Sequence, residues 1–397
     1  MKFGIAHMNA NWHDWDRHLA GNFGAGAATP DHQLTRETFQ MTDLAEELGF
    51  DSVFSPEHHF DPYCMAPDVI QMLSYYAGRN KKMDVASMVV VLPWHDPIRV
   101  AEQIAMLDIM LEPGREFIIG FGRGLARVEF ERFRVPMETS RARFKEAYEI
   151  IKLALTQDSF TYDGQFFQMP ETSVRPQPKS KNLIDRVYIS SVTPPSIQVA
   201  AEVGAGLMII PQKPWDDHVA DLKFYNSTRG EAGMPPRNPV VGCWMYCAET
   251  EDEAEEAYTK WLPEQHYSST THYEFDDPEH FKATAGYEHY AERSEEREAS
   301  GPSGGQPSHE QVAADRAAYH SAEVTEQQRL ELGSVFGTPE QCLWKIKKAI
   351  ETTAPIHMFG FTMFGGMSFD KAKRSTELFA KEVLPEIHKL QVQEPIV

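Results

Sequence analysis

Apolar and polar positions along this chain switch repeatedly between two periods. Short runs that are almost wholly apolar, such as Asp84-Val85-Ala86-Ser87-Met88-Val89-Val90-Val91-Leu92, give way to longer stretches with apolar residues every three or four positions. With Gly, Pro or Asp marking the boundaries, the pattern predicts strands over 2–8, 52–57, 84–92, 116–121, 187–192, 206–210, 239–247 and 357–364. It predicts helices over 34–48, 67–79, 97–111, 139–155, 195–203, 215–230, 251–262, 339–352 and 368–389. Near-continuous apolar strands belong to a parallel sheet covered on both faces. Such strands alternating with helices predict an α/β chain closed into a (β/α)8 TIM barrel.

Two segments break the alternation. In Ser159–Gln168 an Asp163-Gly164 step between β-prone arms predicts a surface hairpin ahead of the fifth barrel strand. Residues 268–330 contain Ser294-Glu295-Glu296-Arg297-Glu298 and Gly301-Pro302-Ser303-Gly304-Gly305, too polar to pack and far longer than an ordinary connection. This stretch falls between the seventh and eighth barrel strands, on the rim that carries barrel active sites, and reads as a mobile lid inserted into a single domain spanning 1–397. The loop at 9–33, with Trp12, His13, Trp15 and His18, is expected to crowd the same rim.

Composition narrows the function classes. Asp and Glu number 59 against 38 Lys and Arg, a net charge of −21 that disfavours nucleic acid and anionic lipid as partners. No apolar run approaches the roughly 20 residues of a membrane span, and Met1-Lys2-Phe3-Gly4-Ile5 lacks a secretory pattern, so a cytoplasmic protein is expected. Of the 4 cysteines, Cys243 and Cys247 share a predicted strand about 13 Å apart, which predicts neither a disulfide nor a zinc knuckle.

In a barrel the C-terminal strand ends converge on one cavity. Glu57-His58-His59, Pro93-Trp94-His95, Gly122-Arg123-Gly124 and Val192-Thr193 should therefore be neighbours. Adjacent strand residues point to opposite sides, so only one of His58 and His59 can face the cavity, which argues against chelation by the pair. No His-x-His or His-Glu-x-x-His spacing occurs, and no metal is expected. Arg123 between two glycines suits close approach to an anion, or simply a crowded turn. Thr193-Pro194-Pro195-Ser196 opens a helix with a hydroxyl N-cap and proline at N1, leaving free N–H groups where phosphate binds, although capping alone explains the pattern too. Arg141, near a helix start, adds a second cation. Together they suggest a phosphorylated substrate or cofactor.

The residues that carry this reading resemble the bacterial luciferase family of flavin-dependent monooxygenases, most nearly its α subunit, over most of the chain. The matching stretches are Met1-Lys2-Phe3-Gly4, Gly49-Phe50-Asp51-Ser52-Val53 leading to Glu57-His58-His59-Phe60, and Val91-Leu92-Pro93 with Pro97-Ile98-Arg99. Further on come Leu107-Asp108, Arg123-Gly124-Leu125, Ser140-Arg141-Ala142, Phe275-Asp276-Asp277 and Gly337-Thr338-Pro339-Glu340-Gln341-Cys342.

The resemblance implies reduced FMN, supplied by a separate flavin reductase, reacting with O2 as a C4a-peroxyflavin to oxygenate a small apolar organic substrate. It implies His58 as the catalytic imidazole. Cofactor contacts would come from Glu57, Met88, Val89, Arg123, Arg141, Thr193 and Ser196, with a non-proline cis peptide at Met88-Val89. Phe60, Trp94, Trp244 and Phe364 would suit an apolar substrate cavity. It further implies a homodimer and a role for 268–330 as the family's lid. Gly122 stands where luciferase has a cysteine and Val192 where it has an acid, and both the 9–33 loop and the lid are longer, so aldehyde as substrate and light emission are not carried over. An F420-dependent oxidoreductase of the same fold and a non-catalytic companion subunit are the alternatives.

Overall fold

The computed structural model describes residues 1–23, 26–210, 215–275, 277–291 and 333–397. Its strands are β1 (Lys2–His7), β2 (Ser52–Ser55), β3 (Asp84–Ser87), β4 (Val90–Val91), β5 (Phe117–Gly122), β6 (Phe160–Asp163), β7 (Gln168–Thr172), β8 (Val187–Ser190), β9 (Gly206–Ile209), β10 (Val240–Cys247), β11 (Ser334–Gly337) and β12 (His357–Met363). Parallel pairing runs β1-β2-β3-β5-β8-β9-β10-β12 and returns from β12 to β1, so the sheet closes on itself as the expected eight-stranded barrel.

Strand alternation sorts the core into two layers. Phe3, Ile5, Val53, Val85, Phe117, Ile119, Val187 and Ile189 point outward to the surrounding helices. Their neighbours Ala6, Phe54, Ala86, Ile118 and Tyr188 turn inward and fill the barrel with Met208, Trp244, Phe359 and Phe361. Near the end of the barrel where the strands begin, Phe54 stacks on Phe359 at 4.1 Å, and His357 Nε2 lies 2.8 Å from Ser52 Oγ.

Several predicted boundaries move, each for a local reason. The strand expected over 84–92 is cut into β3 and β4 by a cis Met88-Val89 peptide, and residues 92–94 then tighten into a 3-10 turn. The strands expected to reach 57 and 192 stop at Ser55 and Ser190, freeing the residues that follow to face the cavity. The hairpin forms, but its second arm is Gln168–Thr172, since the turn occupies 164–167 with Gly164 N–H donating to Phe167 O at 2.9 Å. The last predicted helix breaks at Val383 into Phe369–Glu382 and Leu384–His388, with Pro385 in the first turn of the second piece. An unpredicted strand, β11, extends the sheet along the C-terminal half of β10.

The segment expected to form a lid is described in its first part only. The helix expected to stop at 262 runs on through Pro263 as Glu251–Tyr273, and a short helix, Pro278–Ala283, follows. Phe281, Tyr287, Tyr290 and Ala291 pack with Phe130 and Met137 into a small apolar cluster, so the first part of the segment is packed structure. Residues 292–330, the remainder of that segment, lie outside the described residues. The 9–33 loop does reach the same rim: Trp12 and Trp15 donate their indole N–H groups to Ser268 and Thr271 at 3.2 and 3.1 Å. No helix among the described residues is long and apolar enough to cross a membrane.

Candidate functional site

A cavity of about 440 Å³ opens at the C-terminal ends of the barrel strands. Its lining includes Glu57, His58, Met88, Val89, Arg123, Thr193 and Ser196, seven of the eight positions singled out in the sequence. Arg141 does not line the wall. It stands directly behind, donating to the same Gly286 carbonyl oxygen that Arg123 uses, at 3.2 and 2.8 Å.

Beyond β2, Pro56 lacks the N–H that would continue the ladder, and the next three residues diverge. Glu57 turns into the wall, fully buried, where its carboxylate accepts from Val91 N–H at 2.9 Å and contacts His59 Nε2 at 3.1 Å and His95 Nε2 at 2.5 Å. Burial works to raise the Glu57 pKa, but these imidazoles and the Val91 N–H hold it below the ordinary carboxylate range. Burial likewise opposes charge on His95, and the Glu57 carboxylate outweighs it, raising the His95 pKa. His59 packs edge-on to Trp94 and Phe133, at 5.4 and 4.6 Å between centroids. His58 alone of the adjacent pair lines the cavity.

The contacts around His58 come from residues that the sequence pattern did not single out. Its Nδ1 lies 3.1 Å from Glu129 Oε1 and 3.2 Å from His272 Nε2, while Tyr273 Oη sits 3.0 Å from its Nε2. His272 Nδ1 meets Asp61 Oδ2 at 2.6 Å. Burial resists charge on both members of this pair, yet each stabilises the other: the His272 pKa is raised and that of Asp61 lowered. Burial pushes the Tyr273 hydroxyl far above its usual value, so it remains a proton donor. The helix Arg127–Phe133 supplies Glu129, and the extension of Glu251–Tyr273 beyond Pro263 supplies His272 and Tyr273. A three-to-four-residue spacing that continues past Pro263 through Tyr267 and Thr271 was the one available signal.

At the other end of the cavity the Gly122-Arg123-Gly124 turn follows β5. Gly124 has a φ of +82°, and a Cβ there would lie 2.9 Å from both Trp94 and Val91, so the tight turn requires glycine. Arg123 is stacked over the Tyr287 ring at 3.8 Å, and Tyr287 Oη donates to Gly124 O at 2.9 Å. Burial, and then the Arg123 charge, lower the Arg141 pKa. Among the described residues neither arginine has a carboxylate within ion-pair distance. Thr193 and Ser196 form a reciprocal capping box at the start of helix Pro194–Glu202, with Thr193 N–H donating to Ser196 Oγ at 3.2 Å. Of the four aromatics expected around the substrate, Trp94 and Trp244 line the cavity. Phe60 is 46% exposed, and Phe364 is buried against Trp244 and Phe336.

Comparison with known proteins agrees with this architecture. The alkanal monooxygenase alpha chain of Photobacterium leiognathi is 27% identical over 364 residues, covering 90% of this chain and 94% of that one. The oxygenating constituent of 3,6-diketocamphane monooxygenase from Pseudomonas putida, a type II Baeyer-Villiger monooxygenase solved with FMN, superposes with a TM-score of 0.68 at 18% identity, covering 99% of both chains. The coenzyme F420 dependent tetrahydromethanopterin reductase of Methanopyrus kandleri superposes with a TM-score of 0.63 at 18% identity, covering 97% of this chain and 99% of that one. These two structures share the fold. The model for luciferase-like monooxygenases matches residues 1–354, and the chain belongs to that family.

Proposed function

We propose that this protein is a flavin-dependent monooxygenase that takes reduced FMN from a separate flavin reductase and uses O2 to oxygenate a small apolar organic substrate. One observation carries the reading: a single cavity has the Arg123 guanidinium at one end, backed by that of Arg141 on the same Gly286 carbonyl, neither with a carboxylate partner among the described residues, and a hydrogen-bonded imidazole at the other end.

The residues present fit the cofactor. Two adjacent cations sharing one neutral carbonyl oxygen leave their remaining donors for a doubly charged phosphate, and the Thr193–Ser196 helix start adds hydroxyls and a positive dipole end. The ring would lie against Met88 and Val89, where Gly122 keeps the wall narrow: a Cβ on it would fall 2.3 Å from Val89 Cγ2. Bound there, reduced flavin supplies the electrons and the oxygen-reactive carbon that no side chain provides.

This chain's own work is then positional. Arg123 and Arg141 hold the phosphate. Glu57, pinned by Val91 N–H and two imidazoles, keeps the strand-end loop in place under His58. His58 holds or moves a proton at Nε2, with Tyr273 donating to that nitrogen and Glu129 orienting the ring from Nδ1. Trp94, Trp244, Leu125 and Phe361 make much of the remaining lining apolar, which excludes water and suits an apolar substrate.

Anaerobic titration of the chain with reduced FMN and, separately, with reduced F420 tests the cofactor; admission of O2 with a panel of ketones, aldehydes and alkanes then tests the reaction. Tight binding of FMN and oxygen uptake beyond the reductase background are expected. Preference for F420 supports instead the hydride-transfer chemistry of the same fold, and absence of oxygen consumption with every substrate supports a companion subunit.

A further inference from the structure

Three atoms with lone pairs, carried on separate elements, face one point beside the cavity: His58 Nδ1, His272 Nε2 and a carboxylate oxygen of Glu129, all within 4.8 Å of one another. We propose that they form a binding site for one divalent transition-metal ion of the kind that takes imidazole and carboxylate ligands, zinc or iron(II) in preference to magnesium or calcium. The site rests on the geometry of these side chains; it shares His58 and Glu129 with the proposed flavin chemistry but does not need a flavin to form.

The spacing is that of a coordination sphere. His58 Nδ1 is 3.1 Å from Glu129 Oε1 and 3.2 Å from His272 Nε2, and His272 Nε2 is 3.8 Å from Glu129 Oε2. Atoms bonded at about 2.0–2.1 Å to a four-coordinate ion lie about 3.4 Å apart, and the three distances, though they reach different oxygens of the Glu129 carboxylate, all fall near that edge length.

Hydrogen bonding within the cluster leaves lone pairs unmatched. In the neutral form a metal requires, with the His272 proton on Nδ1 toward Asp61, Nε2 presents a bare lone pair, and one proton on His58 Nδ1 must then serve both His272 Nε2 and Glu129 Oε1. Glu129 Oε2 is buried without a hydrogen-bond partner, on a side chain that is 0% exposed. Two carboxylates, Asp61 and Glu129, are gathered in this buried cluster, and one divalent cation neutralises both while giving Oε2 its missing partner.

The surroundings match a metal site as well. Asp61 on the far nitrogen of His272 is the outer carboxylate that orients a ligating imidazole, and Tyr63 stacks on the same ring at 4.4 Å. His58 and Glu129 line the cavity, which supplies an entry path and leaves the fourth coordination position open toward it. An ion held here takes His58 Nδ1 in place of the Glu129 hydrogen bond, moves the ring's proton to Nε2 and makes Tyr273 Oη its acceptor, so the filled and empty sites present different tautomers of His58 to the cavity.

The test uses the full chain, freed of flavin and treated with chelator, and titrated with Co2+ as a spectroscopic substitute for zinc. One equivalent should bind with the visible absorption of a four- or five-coordinate nitrogen and oxygen site, lack a thiolate band, and be displaced by Zn2+. Glu129→Gln and His272→Gln should abolish the signal, and Asp61→Asn should weaken binding roughly 10–100-fold, with circular dichroism confirming that each variant is folded. Should the variants not fold, diethylpyrocarbonate modification of His58 in the unaltered protein replaces them, and one equivalent of Zn2+ should block it. Failure of the unaltered protein to bind one equivalent, binding that persists in folded Glu129→Gln and His272→Gln, a thiolate band, or modification of His58 unaffected by Zn2+ each overturns the proposal.

Discussion

A Cβ added to Gly122 would fall 2.3 Å from Cγ2 of Val89, so the wall on which the flavin ring is proposed to rest exists only because the last residue of β5 has no side chain. Gly122→Ala should force Val89 into the cavity. Overpacking of this kind costs about 1–3 kcal/mol, and the variant should melt lower and bind FMN more weakly. Val89→Ala in the same chain removes the clash and should restore most of the stability. Calorimetry and flavin titration of the single and double variants check this, and a Gly122→Ala protein indistinguishable from the original in both would show that the wall can give.

The two ends of the cavity should fail differently when cut. Arg123 gives a charged donor at the proposed phosphate end, where such a bond contributes about 1.5–3 kcal/mol, so Arg123→Ala should weaken FMN binding by roughly 10–100-fold. His58→Ala leaves both arginines and the Thr193–Ser196 helix start intact. Its FMN affinity should stay near that of the unaltered protein, while oxygen consumed appears as hydrogen peroxide instead of oxygenated product. Equal loss of affinity in the two variants, measured by titration alongside a peroxide assay, would remove the division of roles.

What could be read from the sequence, and what could not, divides along physical lines. Glu57, Arg123 and Thr193 were legible as neighbours because barrel closure brings strand ends together whatever the side chains are. His58 and His59 were separable because neighbouring residues there must diverge, and one lines the cavity while the other meets Trp94 and Phe133. Glu129, Asp61, His272 and Tyr273 were not legible, since each is a single polar residue and their meeting depends on a helix continuing through Pro263. The pairing of Gly286 O with both arginines was equally hidden, because it belongs to the fold of a segment whose composition reads as solvent-exposed.

Two buried imidazoles set an acid limit on stability. His7 and His357 are wholly buried, and burial lowers each pKa to about 3, with the charges of Lys2 and the N-terminus adding to the effect at His357. Because the folded pKa lies below the unfolded one, the stabilising contribution is complete above about pH 6.5 and is lost as pH falls from there toward 3. Unfolding then takes up about one proton per histidine, a slope of about 1.4 kcal/mol per pH unit for each. His357→Gln should remove one such proton from the dependence of urea-unfolding free energy on pH between 4.5 and 6. An unchanged slope would mean that His357 titrates normally in the fold.

Tyr287 ties the segment after helix Pro278–Ala283 to the cavity mouth: its hydroxyl donates to Gly124 O, lies 2.9 Å from Ser140 Oγ, and its ring carries the Arg123 guanidinium. Tyr287→Phe keeps the ring and the cation stack while deleting both hydroxyl contacts. At about 1 kcal/mol for each ordinary hydrogen bond, the barrel should remain folded, with the melting temperature lowered by a few degrees. The covering segment should open more often, so Tyr287→Phe should bind FMN with near-normal affinity yet release a larger share of consumed oxygen as peroxide, because water reaches the site. Hydrogen exchange at residues 284–291 should rise in parallel. Faster exchange with unchanged coupling would show that this segment covers the mouth without keeping it dry.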